Sequence, residues 1–354
     1  MFLKNTWYPI AQSKEVHSTP LPRQIAGERL VMYRVSDGTP VVLEDRCAHR
    51  AAPLSLGQVR GDVLQCGYHG IEYDTTGTAT KIPCQAKVSK SAKVRAYPSV
   101  ERWNFIWAWI GEAEKADPDL IPNLWWNDHP DWRGDGDTLF LKCDYRLLID
   151  NLLDLTHETY VHDKSAGHPI IVQTPCETTA TDDTVSVSRV MGPFDVPPPW
   201  KGWVQKGIGW DGEVFRYHTS TFMMPAIVAI ETGAVRADAP VPNENPNESI
   251  RSMLINACVP CDETTCWQMW VWPRNYAIED HRLTADVVTA INGVFGEDVV
   301  MLEAQQRNIT ERPDGRMIGI ATDQGPLRAR AMLDAAITAQ NAGSEEQRST
   351  LAAV

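Results

Sequence analysis

The chain is short of positive charge: 33 Lys and Arg stand against 46 Asp and Glu, a formal net charge of −13. Nucleic-acid affinity rests on clustered Lys and Arg, and without such a cluster no nucleic-acid partner is expected. Long hydrophobic runs are missing too. The longest strongly apolar stretch, near Met223 to Ile230, is far too short to cross a bilayer, and Met1 to Tyr8 lacks the apolar core of a signal peptide. No membrane association is expected, and the protein reads as cytoplasmic. In a reducing compartment its eight Cys should be thiols or metal ligands rather than disulfides. No internal repeat is visible. What is present is an ordinary globular share of apolar residues, 43%, and an uncommon number of Trp, thirteen. Indoles suit thick sheet cores and aromatic pockets alike, so their number does not choose between the two.

At 354 residues there is room for two domains of ordinary size. From Gln24 to Glu44 apolar and polar residues alternate around a turn at Ser36-Asp37-Gly38, and the alternation resumes from Val59 to Thr76 with turns at Arg60-Gly61-Asp62 and Thr76-Gly77. This predicts a small antiparallel β domain that closes with a strand from Trp103 to Ile110, after which Gly111 to Pro118 reads as a linker. The expected boundary falls near residue 115, giving an all-β domain over 1–115 and a second domain over 116–354. In the second, Cys143 to Val161 has helical spacing through Leu147, Leu148, Leu152 and Leu155. Thr179 to Trp272 reads as strands of one larger sheet, separated by turns rich in Pro, Gly and Asn, including the very polar stretch Asp238 to Glu248. Helical patterns return from about Arg282 to Asn308 and near Leu327 to Gln340, ahead of an Ala- and Glu-rich tail expected to fray. The fold class is α+β: an all-β N-terminal domain, then an antiparallel sheet flanked by helices.

Cys47-Ala48-His49 and Cys66-Gly67-Tyr68-His69-Gly70 stand sixteen residues apart on two loops of the β domain. Such paired fingers can clamp a Rieske-type 2Fe-2S cluster, with the thiolates of Cys47 and Cys66 on one iron and the imidazoles of His49 and His69 on the other. Exchanging two thiolates for neutral imidazoles reduces the negative charge on one iron and raises the potential. Pro53, Gly57, Gly67 and Gly70 permit the tight turns that sulfur-lined loops require. The plain alternative is structural zinc, but zinc fingers pair Cys-x2-4-Cys with His-x3-5-His rather than mixing the two in each finger.

In the second domain, Asp154 precedes His157 by three residues and so shares its helical face, whereas His157 and His162, five apart, lie about 140° round an ideal helix. The helix must bulge or end between them, and such bulges commonly mark functional sites. Non-haem Fe(II) oxygenases hold iron with two His and one carboxylate on one face, leaving positions open for dioxygen and substrate. His157 and His162 would be the two imidazoles.

Taken in order, these motifs resemble the Rieske non-haem iron aromatic-ring oxygenases, oxygenase component, and within them the vanillate O-demethylase group with its aryl O-demethylase and methyl monooxygenase relatives. The resemblance covers nearly the whole chain: Lys4 to Tyr8, Ala52 to Gly57, Cys143 to Leu147, Asn151 to His162 and Met301 to Asn308 all share in it. It implies that Asp298 is the carboxylate ligand, with Glu297 its rival, and that Asn151 lies near the iron without being a firm ligand. It implies that Asp154 bridges a cluster-ligand His of a neighbouring subunit to His157, in a head-to-tail homotrimer. It also implies a separate flavin and iron-sulfur reductase carrying electrons from NADH. The implied reaction is monooxygenation of an aromatic compound, foremost O-demethylation of a methoxybenzoate such as vanillate with release of formaldehyde. Ring hydroxylation, cis-dihydroxylation and toluenesulfonate-type methyl hydroxylation use the same metals. A rival of another class is an electron-transfer or zinc-stabilised protein in which His157 and His162 are structural.

Other features have plainer readings. Gly207-Ile208-Gly209-Trp210-Asp211-Gly212 matches a dinucleotide fingerprint by letter, but it follows Pro197-Pro198-Pro199-Trp200 instead of a buried strand and is read as a loop. Cys258, Cys261 and Cys266 read as core or turn residues around a turn from Pro260 to Thr264. His168 reads as a solvated loop His, and Met223, Met224, Met269 and Trp270 as core rather than pocket. His17, His129, His218 and His281 show no partner spacing.

Overall fold

The computed structural model describes residues 1–241 and 245–352, the side chains of 199 and 343–352 excepted. It divides into two compact units, Met1–Asn123 with Val259–Glu263, and Leu124–Cys258 with Thr264–Val354. Among the described residues no helix is long and apolar enough to cross a membrane.

The first unit is built of short antiparallel strands. Phe105–Ile110, buried at every position, lies between Thr6–Gln12 and Ser99–Arg102. Trp103 and Asn104, both with φ of 58°, form the turn before it, so the strand expected from Trp103 begins two residues later. Leu21–Ile25, Glu28–Arg34 and Pro40–Glu44 make a second sheet. Its last turn works as read, with the Asp37 carboxylate accepting from Thr39 N–H and Gly38 taking φ of +89°. A third sheet of four short strands, Gln58–Arg60, Val63–Gln65, Glu72–Tyr73 and Ala79–Lys81, carries the cluster loops at its ends. Their core joins Val31, Tyr33, Leu43, Leu64, Ile71 and Tyr73 with the two motif cysteines.

The second unit centres on one seven-stranded sheet: β1 (Gly136–Leu141), β2 (Glu177–Ala180), β3 (Thr184–Phe194), β4 (Val214–Met223), β5 (Ile227–Arg236), β6 (Ser249–Asp262) and β7 (Thr265–Val271), in the order β1-β7-β6-β5-β4-β3-β2. Central β5 and β6 are buried along almost their whole length, as strands covered on both faces must be. β4 instead alternates strictly between buried and half-buried positions. Around the sheet lie α1 (Tyr145–Leu153), α2 (Glu158–Val161), α3 (Ile170–Gln173), α4 (Pro198–Ile208), α5 (His281–Glu311) and α6 (Gln324–Ala352). α1 packs on β4 and β5, α5 on β1, and α6 on α1 and β3.

Three further features differ from expectation. α6 continues well past Gln340, and the last two residues of the tail lie outside the described residues, as do 242–244 within the polar stretch. β6 runs through the expected turn at Pro260, because the carbonyls of Pro260 and Cys261 accept from the N–H groups of Ala26 and Gly27 and hold the chain extended. α4 went unread. Its prolines occupy the first turn, where a missing N–H costs nothing, and Gly209 closes it at φ of +66°, so the Gly-rich letters cap a helix rather than open one.

Candidate metal centres and the adjoining cavity

The cluster loops follow Pro40–Glu44 and Val63–Gln65. Each closes on itself: Ala51 N–H donates to Cys47 O and Cys47 N–H to Ala52 O, while Gly70 N–H donates to Cys66 O and Cys66 N–H to Ile71 O. The Asp45 carboxylate accepts from both N–H and Oγ of Ser55, tying down the first loop. A Cβ on Gly57 would collide with the Gln65 carbonyl, and one on Gly67 with the Leu56 carbonyl, so only glycine lets the loops approach this closely. Cys47 and Cys66 are buried, and the rings of His49 and His69 are exposed with centroids 4.6 Å apart. Tyr73 Oη accepts from Ala48 N–H and lies 3.2 Å from Cys47 Sγ. Burial pushes the Cys66 thiol up, against the opposing pull of the Tyr68 and His69 N–H groups.

This donor set fits a two-iron cluster. The thiols lie inside and the imidazoles outside, and both cysteines are free. Among the described residues, the one group of His, Cys, Asp or Glu whose ligand atoms all fall within 4.8 Å of one another lies elsewhere. The quartet is therefore not drawn around a single zinc.

The converging group is His157, His162 and Asp298. Apolar Leu147, Leu148, Leu152 and Leu153 seat α1 against the sheet, with Asp144 capping its start through Arg146 N–H. α1 breaks at Asp154, whose φ of −114° and ψ of 86° leave the helical region, and whose carboxylate then caps the next turn through Thr156 N–H. The main break thus falls before His157, not between the histidines. α2 joins them, and His162 ends it.

His157 Nε2 and His162 Nε2 lie 3.4 and 3.3 Å from Asp298 Oδ1. Each ring is held from behind: His157 Nδ1 is 2.6 Å from the backbone carbonyl of Asp154, and His162 Nδ1 is 2.6 Å from Glu297 Oε2, which also accepts from Ser165 Oγ. With Nδ1 held from behind, each ring faces Asp298 through Nε2, which donates to the carboxylate while the imidazole is protonated and offers its lone pair to a metal once that proton leaves. Burial works against charge on Asp298, yet hydrogen bonds from the two histidines hold its carboxyl down at about 2. Burial likewise opposes protonation of His162, but Asp298 and then Glu297 raise it to about 9, and Asp298 raises His157. Three side chains that compensate one another in this way are suited to holding a divalent ion instead. Asn151 Nδ2 donates to Asp298 Oδ1 at 3.0 Å and lies 3.3 Å from His157 Nε2.

The choice between Asp298 and Glu297 has a geometric answer. On α5 the buried residues are Leu283, Val287, Ile291, Phe295, Asp298, Leu302 and Gln306, a stripe at three- and four-residue spacing that includes 298 and leaves out 297. That stripe was available in the sequence. Asp154 reaches His157 through its backbone carbonyl, while its carboxylate accepts from Thr322 Oγ1 at 2.9 Å.

The triad opens on a cavity of about 400 Å³ walled by Trp200, Trp203, Trp272, Phe295 and Leu254. Glu158, Arg216, His218 and Thr232 also line it; the sequence singled out none of the four, and His218, set aside as lacking partner spacing, has Arg216 two residues away as its partner. The signal was the alternation of β4, where Arg216, His218 and Ser220 occupy the phase shared by Val214 and Phe222. Polar residues in a buried phase point to function. Met223, Met224, Met269 and Trp270 are not in the cavity wall. His168, expected to be solvated, is half-buried against Phe194, its Nδ1 accepting from Ile170 N–H. Cys258, Cys261 and Cys266 are buried.

Residues 6–98 match the Rieske [2Fe-2S] domain, and residues 141–339 match the vanillate O-demethylase oxygenase C-terminal domain. The chain is 38% identical to the vanillate O-demethylase oxygenase subunit of Pseudomonas sp. (strain HR199 / DSM 7063), covering 98% of each. It is 33% identical to a putative toluene-4-sulfonate monooxygenase system iron-sulfur subunit of Comamonas testosteroni, covering 97% of this chain and 99% of the other. The crystal structure of dicamba monooxygenase bound to 3,6-dichlorosalicylic acid matches with a TM-score of 0.87 at 27% identity, covering 96% of this chain and 99% of that one. A further structure of dicamba monooxygenase, described as containing non-heme iron and dicamba, matches with a TM-score of 0.81. With cluster loops, iron triad and both domains in agreement, the chain belongs to the vanillate O-demethylase oxygenase family of Rieske-type iron oxygenases.

Proposed function

We propose that this oxygenase component demethylates a methoxybenzoate such as vanillate. The observation that carries the reading is the opening of His157, His162 and Asp298 directly onto an aromatic-walled cavity. A volume of about 400 Å³ lies within the usual range for small-molecule sites. Bound there, an iron ion supplies dioxygen activation, and a 2Fe-2S cluster at Cys47, His49, Cys66 and His69 supplies electrons. Overall, one oxygen atom enters the methoxy carbon and the other leaves as water, consuming two electrons and two protons. The oxidised carbon then departs as formaldehyde and leaves a phenol.

The chain's own residues do the positioning. The Asp154 carbonyl and Glu297 fix the histidine rings, Asn151 steadies the Asp298 carboxylate, and the indoles exclude water from the reacting end of the substrate. We assign electron entry to residues 1–115 and oxygen chemistry to 116–354. Electrons come from NADH through a separate flavin and iron-sulfur reductase in the cytoplasm. We further assign a homotrimer in which a cluster histidine of one copy meets Asp154 of the next. In support, Asp154 and His157 border a cleft rimmed by Met301, Met317, Ile318 and Leu327, all exposed apolar side chains, and Tyr68 is exposed beside His69. Screening methoxybenzoates with a reconstituted reductase tests the reading. One formaldehyde per dioxygen consumed is expected, whereas a hydroxylated ring without formaldehyde would assign the chain to ring hydroxylation.

A further inference from the structure

Arg216 and His218 stand two residues apart on β4, and both point to the buried side. Each is only 3% exposed, and both line the cavity that holds the triad. Arg216 Nη2 donates to His218 Nε2 at 2.6 Å. A guanidinium can only donate, so Nε2 is the accepting nitrogen and the ring proton sits on Nδ1. Burial, with Arg216 and Arg189 adding to it, keeps the imidazole far below its usual pKa and therefore neutral. His218 thus offers a neutral N–H.

That N–H has no hydrogen-bond partner, and neither have Nε and Nη1 of Arg216. Glu158 approaches without closing the gap, at 3.5 Å from Arg216 Nη2 and 3.8 Å from His218 Nδ1. A charge-assisted hydrogen bond measures about 2.7–2.9 Å. Trp200 stacks against the guanidinium, its ring centroid 4.3 Å from Cζ, and so sets its plane. Buried donors left open in a cavity wall are groups that a ligand can complete. Among the charged lining residues, Arg216 and Lys164 balance Glu158 and Asp298, so a divalent ion at the triad leaves the cavity positive and favourable to an anion.

We propose that Arg216 and His218 form the seat for the carboxylate of the substrate, an aromatic acid whose other end reaches the triad. The proposal rests on the demethylase reading for the identity of that acid. Arg216 supplies the charge and His218 a neutral donor, so Arg216 decides between an acid and its uncharged analogue.

Calorimetric titration of the metal-loaded protein with 4-hydroxy-3-methoxybenzoate and its primary amide tests this. The unaltered protein should bind the acid at least about tenfold more tightly than the amide. Arg216→Gln should erase that preference by weakening the acid far more than the amide, and Arg216→Lys should retain part of it. The visible absorption of the cluster reports that each variant is folded. Equal binding of acid and amide by the unaltered protein, or an acid preference that survives Arg216→Gln, overturns the seat. Formaldehyde release from a neutral methoxyarene, with no acid preference, overturns the seat and leaves the demethylase reading standing. Acid-selective binding abolished by Arg216→Gln, with ring hydroxylation as the only turnover, supports the seat and overturns demethylation.

Discussion

In the cluster domain the imidazoles of His49 and His69 lie at the surface and only the thiols of Cys47 and Cys66 are sunk in the core. In the catalytic domain the side chains of His162 and Asp298 are 2% and 5% exposed, and His157 keeps 20%. One site leaves two of its ligands at the surface, and the other opens on a cavity. The contrast extends to how they are built. The quartet comes from two loops close together in the sequence of one unit, while the triad needs a helix break at Asp154 and a side chain from α5, some 140 residues on. A site for electron exchange can be local and exposed. A site for oxygen chemistry has to be assembled across the fold, so that positioned side chains surround it and water is excluded.

Substitutions can test whether the two sites are as separate as this. The largest effect is expected for Asp298→Ala, which should empty the mononuclear site and lower formaldehyde production by about a thousandfold or more while the EPR signal of the cluster is unchanged. Iron retained in full would sink the ligand assignment. Asp154→Asn should keep both metals yet reduce reductase-driven turnover by about a hundredfold, read as oxygen uptake beside metal content. Normal uptake would remove Asp154 from the electron path. Glu297→Gln, which weakens the hold on His162 without touching Asp298, should lower iron affinity by about 10–100-fold, measured by competition with a chelator. An unchanged affinity would mean that the 2.6 Å contact has no part in orienting the ring. Smallest is Arg330→Ala, which removes the ion pair joining α6 to Asp150 on α1 and should cost about 1–2 kcal/mol of stability in thermal unfolding. Both metal sites should be unaffected, and loss of either would show that α6 supports them.

The same contrast explains what could be read beforehand. Cys47-Ala48-His49 and Cys66 to His69 carry their chemistry in adjacent letters, and the alternation of the β domain locates them on loops, so the exposed site was legible almost whole. The triad was legible only in part. His157 and His162 stood out by type, but Asp298 rested on resemblance, although the stripe from Leu283 to Leu302 would have separated it from Glu297. Arg216 was not singled out and His218 was set aside as lacking partner spacing, because a residue pattern two apart on a strand means little until the burial of Val214 and Phe222 shows which phase faces inward. The helix starting at Pro198 was hidden by its prolines, which signal a break everywhere except in a first turn.

We assign to one chain a two-iron cluster at Cys47, His49, Cys66 and His69 and a separate iron at His157, His162 and Asp298. Iron, zinc and acid-labile sulfide measured per chain of the purified protein test this assignment directly. About three irons with two sulfides and no stoichiometric zinc are expected. Zinc in place of iron, with sulfide absent, would contradict it.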